Sequence, residues 1–216
     1  MTNINMLVDT DSIFFKIAYG NTSESDMRSN YDKFCRKMEL TVQDKLCNPS
    51  DEDEHFHVHY AVTGKDNFRK EIYPQYKATR PNLDQEIRDK LNFLFKYAVD
   101  KGARPADGME ADDLVSIWAH ESRDHGEQYV ICGIDKDLLQ IPGNHYNYGK
   151  DTWQFVDDDT AHYNLMLQCL TGDNSDNIPG LKGIGPKKAE KILKGVPTKR
   201  QWNRVRAAWR GHTGSL

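Results

Sequence analysis

The sequence predicts an α/β fold built on a mainly parallel sheet, and three observations predict it. The apolar runs 4–8 and 129–134 end at Asp9 and Asp135, and they read as buried strands whose carboxyl ends present acids. Residues 55–63 alternate strictly, with Phe56, Val58, Tyr60 and Val62 on one face. Amphipathic segments fall between these runs, and strands separated by helices favour parallel pairing.

The remaining elements follow in chain order. Residues 14–19 read as a first helix and 21–30 as a polar loop. Residues 31–46 have helical spacing through Phe34, Met38, Val42 and Leu46, and 48–54 form an acidic break. The stretch 68–81 is aromatic, basic and interrupted by two prolines, so it does not read as a regular core element. Residues 84–101 form an amphipathic helix with Ile87, Leu91, Leu94, Phe95 and Ala98 on one side. A second spans 111–125, with Leu114, Val115, Ile117 and Trp118 inside. Short edge strands are expected within 146–155, and helices at 163–170, 186–194 and 198–209. There is no internal repeat or low-complexity tract.

Bulk properties narrow the class. A chain of 216 residues, 38% hydrophobic and 10% aromatic, can bury a core and is not of disordered composition. It has no apolar run of about 18 residues, so no membrane span is expected. The amino terminus lacks a basic stretch followed by a long apolar one, so no leader is expected either. Cys35, Cys47, Cys132 and Cys169 are scattered, which favours a reducing cytoplasm over a disulfide framework or zinc site. The net charge of -4 argues against a polyanionic partner, but its distribution reverses the argument. From Lys182 to Arg210 there are ten Lys or Arg and one acid, Glu190, whereas acids gather between Asp107 and Asp137. Cations that hold phosphates, beside carboxylates that hold metal, are what a metal-dependent nuclease needs.

The acids recur at element ends. Asp9 closes the first strand with Asp11 close by, and Asp66 follows the second strand. Glu110, Asp112 and Asp113 open a helix, Asp135 and Asp137 follow the third strand, and Asp173 and Asp176 come last. Singly, Asp112 or Asp113 reads better as a helix cap, and Asp135 or Asp137 as a turn residue. Together they are expected to converge at the strand ends as one self-repelling cluster. Two divalent ions about 4 Å apart would neutralise it and clamp a phosphodiester. The stretch 170–189 (LTGDNSDNIPGLKGIGPKKA) adds a phosphate grip, because a glycine turn that opens a helix exposes backbone N–H groups. His55, His57 and His59 share a strand face without a fourth ligand nearby, so they read as a solvent-facing or helix-covered strand. The four tryptophans read as core or surface packing.

Five blocks together resemble the 5′-nuclease family: flap endonucleases, bacteriophage 5′–3′ exonucleases and the 5′-nuclease domain of bacterial DNA polymerase I. They are Leu7-Val-Asp9, residues 68–80 (FRKEIYPQYKATR), 108–113 (GMEADD), 135–140 (DKDLLQ) and 172–189, in family order along nearly the whole chain. The short length resembles a compact phage member. The resemblance implies a PIN-like core over 1–165, with a helical arch around 68–95. It also implies a helix–turn–helix DNA-binding subdomain over 166–216. By motif position, Asp9, Glu110, Asp112, Asp113, Asp135, Asp137, Asp173 and Asp176 would bind metal, with Mg2+ as cofactor and Mn2+ able to substitute. Lys77 and Arg80 would meet the scissile phosphate. Backbone carbonyls of Leu170, Thr171, Pro179, Leu181 and Ile184 would match a potassium site. Lys182, Gly183, Gly185, Lys187 and Lys188 would touch duplex DNA, and Tyr76 would stack on an unpaired base or pack against the arch. The family aspartate that precedes Phe-Arg is absent at its usual spacing; Asp66 lies two residues before Phe68 and is carried as a shifted ligand.

The implied activity is hydrolysis of DNA with free 5′ ends, 5′ flaps, nicks or 5′ overhangs, leaving 5′ phosphates, with RNA primers or RNA–DNA hybrids as further substrates. A monomer in the cytoplasm, that of the host if phage-encoded, is expected. Two alternatives stay open: a PIN-type or RNase H-like ribonuclease, and a non-catalytic structure-specific DNA-binding module.

Overall fold

The centre of the molecule's sheet is its first strand, β1 (Thr2–Asp9), whose last six residues are buried. The computed structural model describes residues 2–20, 23–51 and 53–213. After β1 come α1 (Asp11–Gly20), α2 (Glu24–Leu46), β2 (Glu54–Thr63), α3 (Phe68–Ile72), α4 (Gln85–Asp100), β3 (Arg104–Ala106) and α5 (Ala111–Asp124). Then follow β4 (Gln128–Cys132), a 3-10 turn (Lys136–Gln140), β5 (Gly143–Asn147) and β6 (Thr152–Val156). The chain closes with α6 (Asp158–Thr171), β7 (Gly172–Asp173), β8 (Ile178–Pro179), α7 (Pro186–Leu193) and α8 (Thr198–Thr213). Contacts divide it into a first unit, Met1–Phe68, Asn82–Leu138 and Gly143–Phe155, and a second, Arg69–Pro81, Leu139–Pro142 and Val156–Leu216. The second unit thus takes in much of the segment expected to form an arch, and its last stretch starts ahead of the expected boundary at 166.

The first unit is the expected α/β layer structure. Its six strands run in the order β3-β2-β1-β4-β5-β6, and the pairs β1–β2, β1–β4, β2–β3 and β4–β5 are parallel. Strand alternation sends Met6 and Val8 into a core shared with α1, α2 and α4. The preceding Asn5 faces the other way, where its Nδ2 donates to Ser122 Oγ of α5 at 3.1 Å. Each fully buried Ile, Leu or Val in this core contributes roughly 1.5–3 kcal/mol. On β2, Phe56, Val58, Tyr60 and Val62 join that core as the alternation requires, and the three histidines project outward. His59 lies against Trp118 of α5, with ring centroids 5.6 Å apart, so at this position the strand is helix-covered.

Two sequence expectations need correction, and one strand is additional to them. Most of the polar stretch 21–30 is helical, because α2 begins at Glu24. Ser23 caps it by accepting from Asp26 N, and Met27 then starts the buried stripe Met27, Tyr31, Cys35, Met38 and Val42. A single apolar residue among polar ones hid that turn; Asn21 and Thr22 lie outside the described residues. Likewise α6 begins at Asp158 and not 163, capped by Asp157. The three-residue β3 was too short to show any period. Among the described residues no helix is long and apolar enough to cross a membrane.

The second unit packs α6, α7 and α8 around Met166, Leu170, Leu181, Ala189, Leu193 and Val205. The chain leaves α6 at Gly172, which has φ +69° and faces Pro179 across the short β7–β8 pairing. A Cβ at Gly172 would sit 2.2 Å from the Gly180 nitrogen. At Gly183 φ is +76° but the space is open. Gly172→Ala should therefore destabilise the protein by well over the ~1 kcal/mol that unfavourable φ alone costs, and Gly183→Ala by about that amount. Urea denaturation of the two variants measures the difference; equal losses would refute it.

Candidate active site

The strand order places a topological switch point in the first unit. From β1 the chain moves outward to β2 and β3, then returns to β4 on the opposite side of β1. Open α/β sheets bind ligands in the crevice beyond the strand ends at such a point. Asp9 is the last residue of β1, and Asp135 comes three residues after β4 ends. Asp112 and Asp113 lie in the first turn of α5, which follows β3 and packs on β1 and β4.

Asp9 is the electrostatic focus. It is 7% exposed and its carboxyl is pushed up to about 8, first by burial and then by the charges of Asp11, Asp112 and Asp135. A hydrogen bond from Asp11 N to Asp9 Oδ1, 3.3 Å long, opposes the shift. The Tyr148 hydroxyl donates to the Asp9 carbonyl at 2.8 Å and steadies the strand end. Asp11, outside the implied ligand set, proves part of this centre; its Oδ1 accepts from Thr63 N at 3.0 Å, tying the ends of β1 and β2 together. Its adjacency to Asp9 was the sequence signal for it.

The other acids of this unit have local tasks as well. Asp113 Oδ2 accepts from Glu110 N at 3.0 Å, so its capping role is real, and Asp112 Oδ1 accepts from Asp113 N at 2.8 Å. Asp135 Oδ1 accepts from Asp137 N at 2.9 Å, the turn role. Glu110 is buried, Asp137 half-buried, and Asp66 exposed in the loop after β2. The charges of Asp11, Asp112 and Asp135 thus act on the buried Asp9. No group of three or more His, Cys, Asp or Glu among the described residues stands as a ready metal cage. The donor set is nevertheless of the kind hard cations take: carboxylate oxygens whose mutual repulsion a divalent charge would relieve.

The second unit holds Asp173 and Asp176 in different surroundings. Asp173 is buried; it accepts from Gln168 Nε2 at 3.1 Å, from Ser175 N at 2.8 Å and from the Ser175 hydroxyl. Asp176 is a hub. Its Oδ1 meets Arg80 Nη2 at 2.7 Å and Lys77 Nζ at 3.9 Å, and its Oδ2 accepts from the Tyr76 hydroxyl at 2.8 Å. Its carbonyl accepts from Lys77 N at 2.9 Å, and Arg80 Nε reaches Ser175 O at 3.2 Å. Asn177 Nδ2 returns a bond to Gln75 O at 2.8 Å. Lys77 and Asn177 both have left-handed backbones, φ 56° and 57°; Asn adopts this conformation readily, whereas Lys holds it only when its surroundings demand it. Tyr76 is 4% exposed, with the cations of Lys77 and Arg69 5.0 and 5.9 Å from its ring centre. The base-stacking expectation for Tyr76 gives way to the packing one, because the ring is covered and the hydroxyl engaged.

Lys182, Lys187 and Lys188 are exposed around the turn into α7, and Lys188 Nζ donates to Gly183 O at 2.8 Å. Of the carbonyls matched to a potassium site, Leu170 O accepts from Leu181 N and Leu181 O from Ile184 N, each at 2.9 Å.

Residues 5–171 match the family described as the 5′-3′ exonuclease, N-terminal resolvase-like domain. The chain belongs to that family. Among relatives of this family member, the DNA polymerase I of Rhizobium leguminosarum is 33% identical over 137 residues, covering 58% of this chain and 14% of that protein. A 5′-3′ exonuclease of Buchnera aphidicola subsp. Schizaphis graminum is 31% identical over 152 residues, 61% of this chain and 50% of that one. The chain spans half or less of the length of these two relatives. In fold it is similar to the bacteriophage T5 5′-exonuclease solved with zinc, with TM-score 0.66 and 19% identity over 95% of this chain and 84% of that one. It is also similar to the bacteriophage T5 flap endonuclease solved with DNA and metal ions, with TM-score 0.62 and 17% identity over 97% and 87%.

The Asp9 carboxyl gives this family member a testable pH dependence. Its ordinary value is 3.8 and its folded value about 8, so the folded state holds the proton more tightly. The associated stability is full below about pH 4 and is lost as pH rises through about 8. In metal-free buffer the melting temperature should fall across that window. Asp9→Asn should flatten the fall, gaining about 2–4 °C at the alkaline end for each kcal/mol relieved. A wild-type profile as flat as the variant's would refute the assignment.

Proposed function

We propose that the chain is a divalent-metal-dependent 5′-nuclease that hydrolyses phosphodiesters of DNA bearing free 5′ ends or 5′ flaps. The observation that carries this reading is the buried Asp9 at the switch point, with the charges of Asp11, Asp112 and Asp135 acting on it. Mg2+ is the cation such oxygens take most naturally, with Mn2+ as a substitute. Asp9, Asp112 and Asp135 would hold it, with Glu110, Asp113, Asp137 and Asp66 as the further acids of the first unit; Asp173 and Asp176 are proposed as metal-binding acids of the second unit. When bound, such ions supply Lewis-acid charge and make a water more acidic.

Lys77 and Arg80 take the role of meeting phosphate charge. Both are already ordered by Asp176, so little side-chain freedom is lost when a phosphate arrives. The turn 182–188, with its glycines and lysines, would hold duplex phosphates without reading sequence. The carbonyls of Leu170 and Leu181 each keep a second lone pair, which leaves them able to brace the turn through K+. DNA is the proposed partner, RNA–DNA hybrids a further substrate, and a cytoplasmic monomer the proposed state.

A 5′-labelled flap and a nicked duplex, each with Mg2+ or with chelator, test this reading. Wild type should cleave with Mg2+ only, and Asp137→Asn should not cleave. Lys77→Ala should slow turnover about a hundredfold or more while leaving DNA affinity within a few-fold, as expected for a group that acts on developing charge. Binding of the flap in Ca2+ with no cleavage in Mg2+ would replace the nuclease by a DNA-binding module.

A further inference from the structure

Helix α8 carries Lys199, Arg200, Arg204, Arg206 and Arg210 and no acid. Gln201 and Val205 are buried on its inner side. Two tryptophans stay outside: Trp202 is 50% exposed and Trp209 38%. Positions 202, 206, 209 and 210 share one side of a helix, so the two indoles stand about two turns, ~10 Å, apart along it, with Arg206 between. With Cys169, Val205, Arg206 and Arg210 they line a hollow of about 410 Å3. Trp209 Nε1 donates to Cys169 O at 3.0 Å, which anchors that indole against the end of α6.

Packing accounts for the anchored edge of Trp209 but leaves Trp202 half-exposed. A solvated helix surface is served by polar side chains, and two half-exposed indoles beside a hollow are an apolar surface with a use. A purely phosphate-binding face needs only the cations. Flat rings alternating with guanidinium groups suit a ligand that brings both a ring face and a negative charge at each repeat. A nucleotide whose base is unpaired has both, and duplex DNA hides its ring faces. An acidic peptide would satisfy the arginines, but a single side-chain anchor would fill one ring position and not both.

We propose that this face of α8 binds an unpaired nucleic-acid strand, with bases stacked on Trp202 and Trp209 and phosphates on Arg206 and Arg210. The proposal rests on the nuclease reading, which brings DNA to the chain, and it adds a contact for single strand that the residues assigned above do not supply. Stacking is sequence-tolerant, so the site would accept any base.

The test is fluorescence anisotropy with labelled oligothymidylate and with a blunt duplex, both in chelator. Trp202→Leu keeps an apolar side chain and removes the ring; Arg206→Glu reverses an exposed charge and leaves the buried side of α8 untouched. Each should weaken oligothymidylate binding about tenfold, the order expected for losing one stacked base or ion contact, and leave blunt-duplex affinity within about twofold. Unchanged oligothymidylate affinity in both variants overturns the proposal, as does an equal loss for blunt duplex. So does binding of an acidic, phenylalanine-bearing peptide where the oligothymidylate fails, which would make the face a protein contact. Melting curves confirm folding, and Arg206→Glu decides alone if Trp202→Leu is unstable. Flap cleavage by wild type tests the nuclease reading separately: a chain that cleaves flaps but shows no effect of either variant loses only this proposal.

Discussion

A carboxyl group buried at the end of the central strand is the constraint around which the first unit is organised. β1 must be apolar to serve as the middle of a sheet covered on both faces, yet it ends in Asp9 where burial and three neighbouring acids both oppose ionisation. The position is costly for the metal-free fold. It is held because the surrounding strands over-determine it: β1 is paired on both sides along most of its length, and Tyr148 and Asp11 secure its last residue. Electrostatic strain of this kind gathers at sites that gain from it when a counter-charge binds.

In the second unit the strained backbone is at Lys77. It and the left-handed Asn177 are kept in place by reciprocal bonds between neighbouring loops, and one carboxylate organises both cations and a tyrosine. Gly172 lets the chain double back at the end of α6, so that Asp173 and Asp176 occupy a short, tightly bonded turn. Order here comes from hydrogen bonds to charged groups, which contribute more than neutral ones but only while every partner is present.

Much of this was legible in the sequence, and the limits have physical causes. Strands β1, β2 and β4 declared themselves because burial on both faces or one imposes a continuous or alternating apolar pattern. The acids of the first unit sit at strand ends and helix starts, positions that punctuation in the sequence marks. The start of α2 was missed because a cap and one buried methionine, not a run of apolar residues, define it. For Tyr76 the sequence leaves base stacking and packing both open, because its neighbours are basic and its segment irregular. Its burial depends on Asp176, a hundred residues later, and no local period encodes a contact of that range. Equally, Asp112, Asp113 and Asp135 make the local helix-start and turn bonds that their positions alone would suggest.

The hydrogen bond from Asn5 to Ser122 has a consequence for the acids at the other end of α5. Both partners are buried, and Asn5 also donates to Glu127 at 2.7 Å just beyond the helix. An apolar contact tolerates slippage of a helix over a sheet by a fraction of a turn, whereas a buried amide that loses its partner does not. Asn5 therefore works as a stop for axial sliding. Ser122 lies ten residues from Asp112, about 15 Å along the helix, so an asparagine in the middle of β1 fixes at a distance how far the amino end of α5 projects past the sheet.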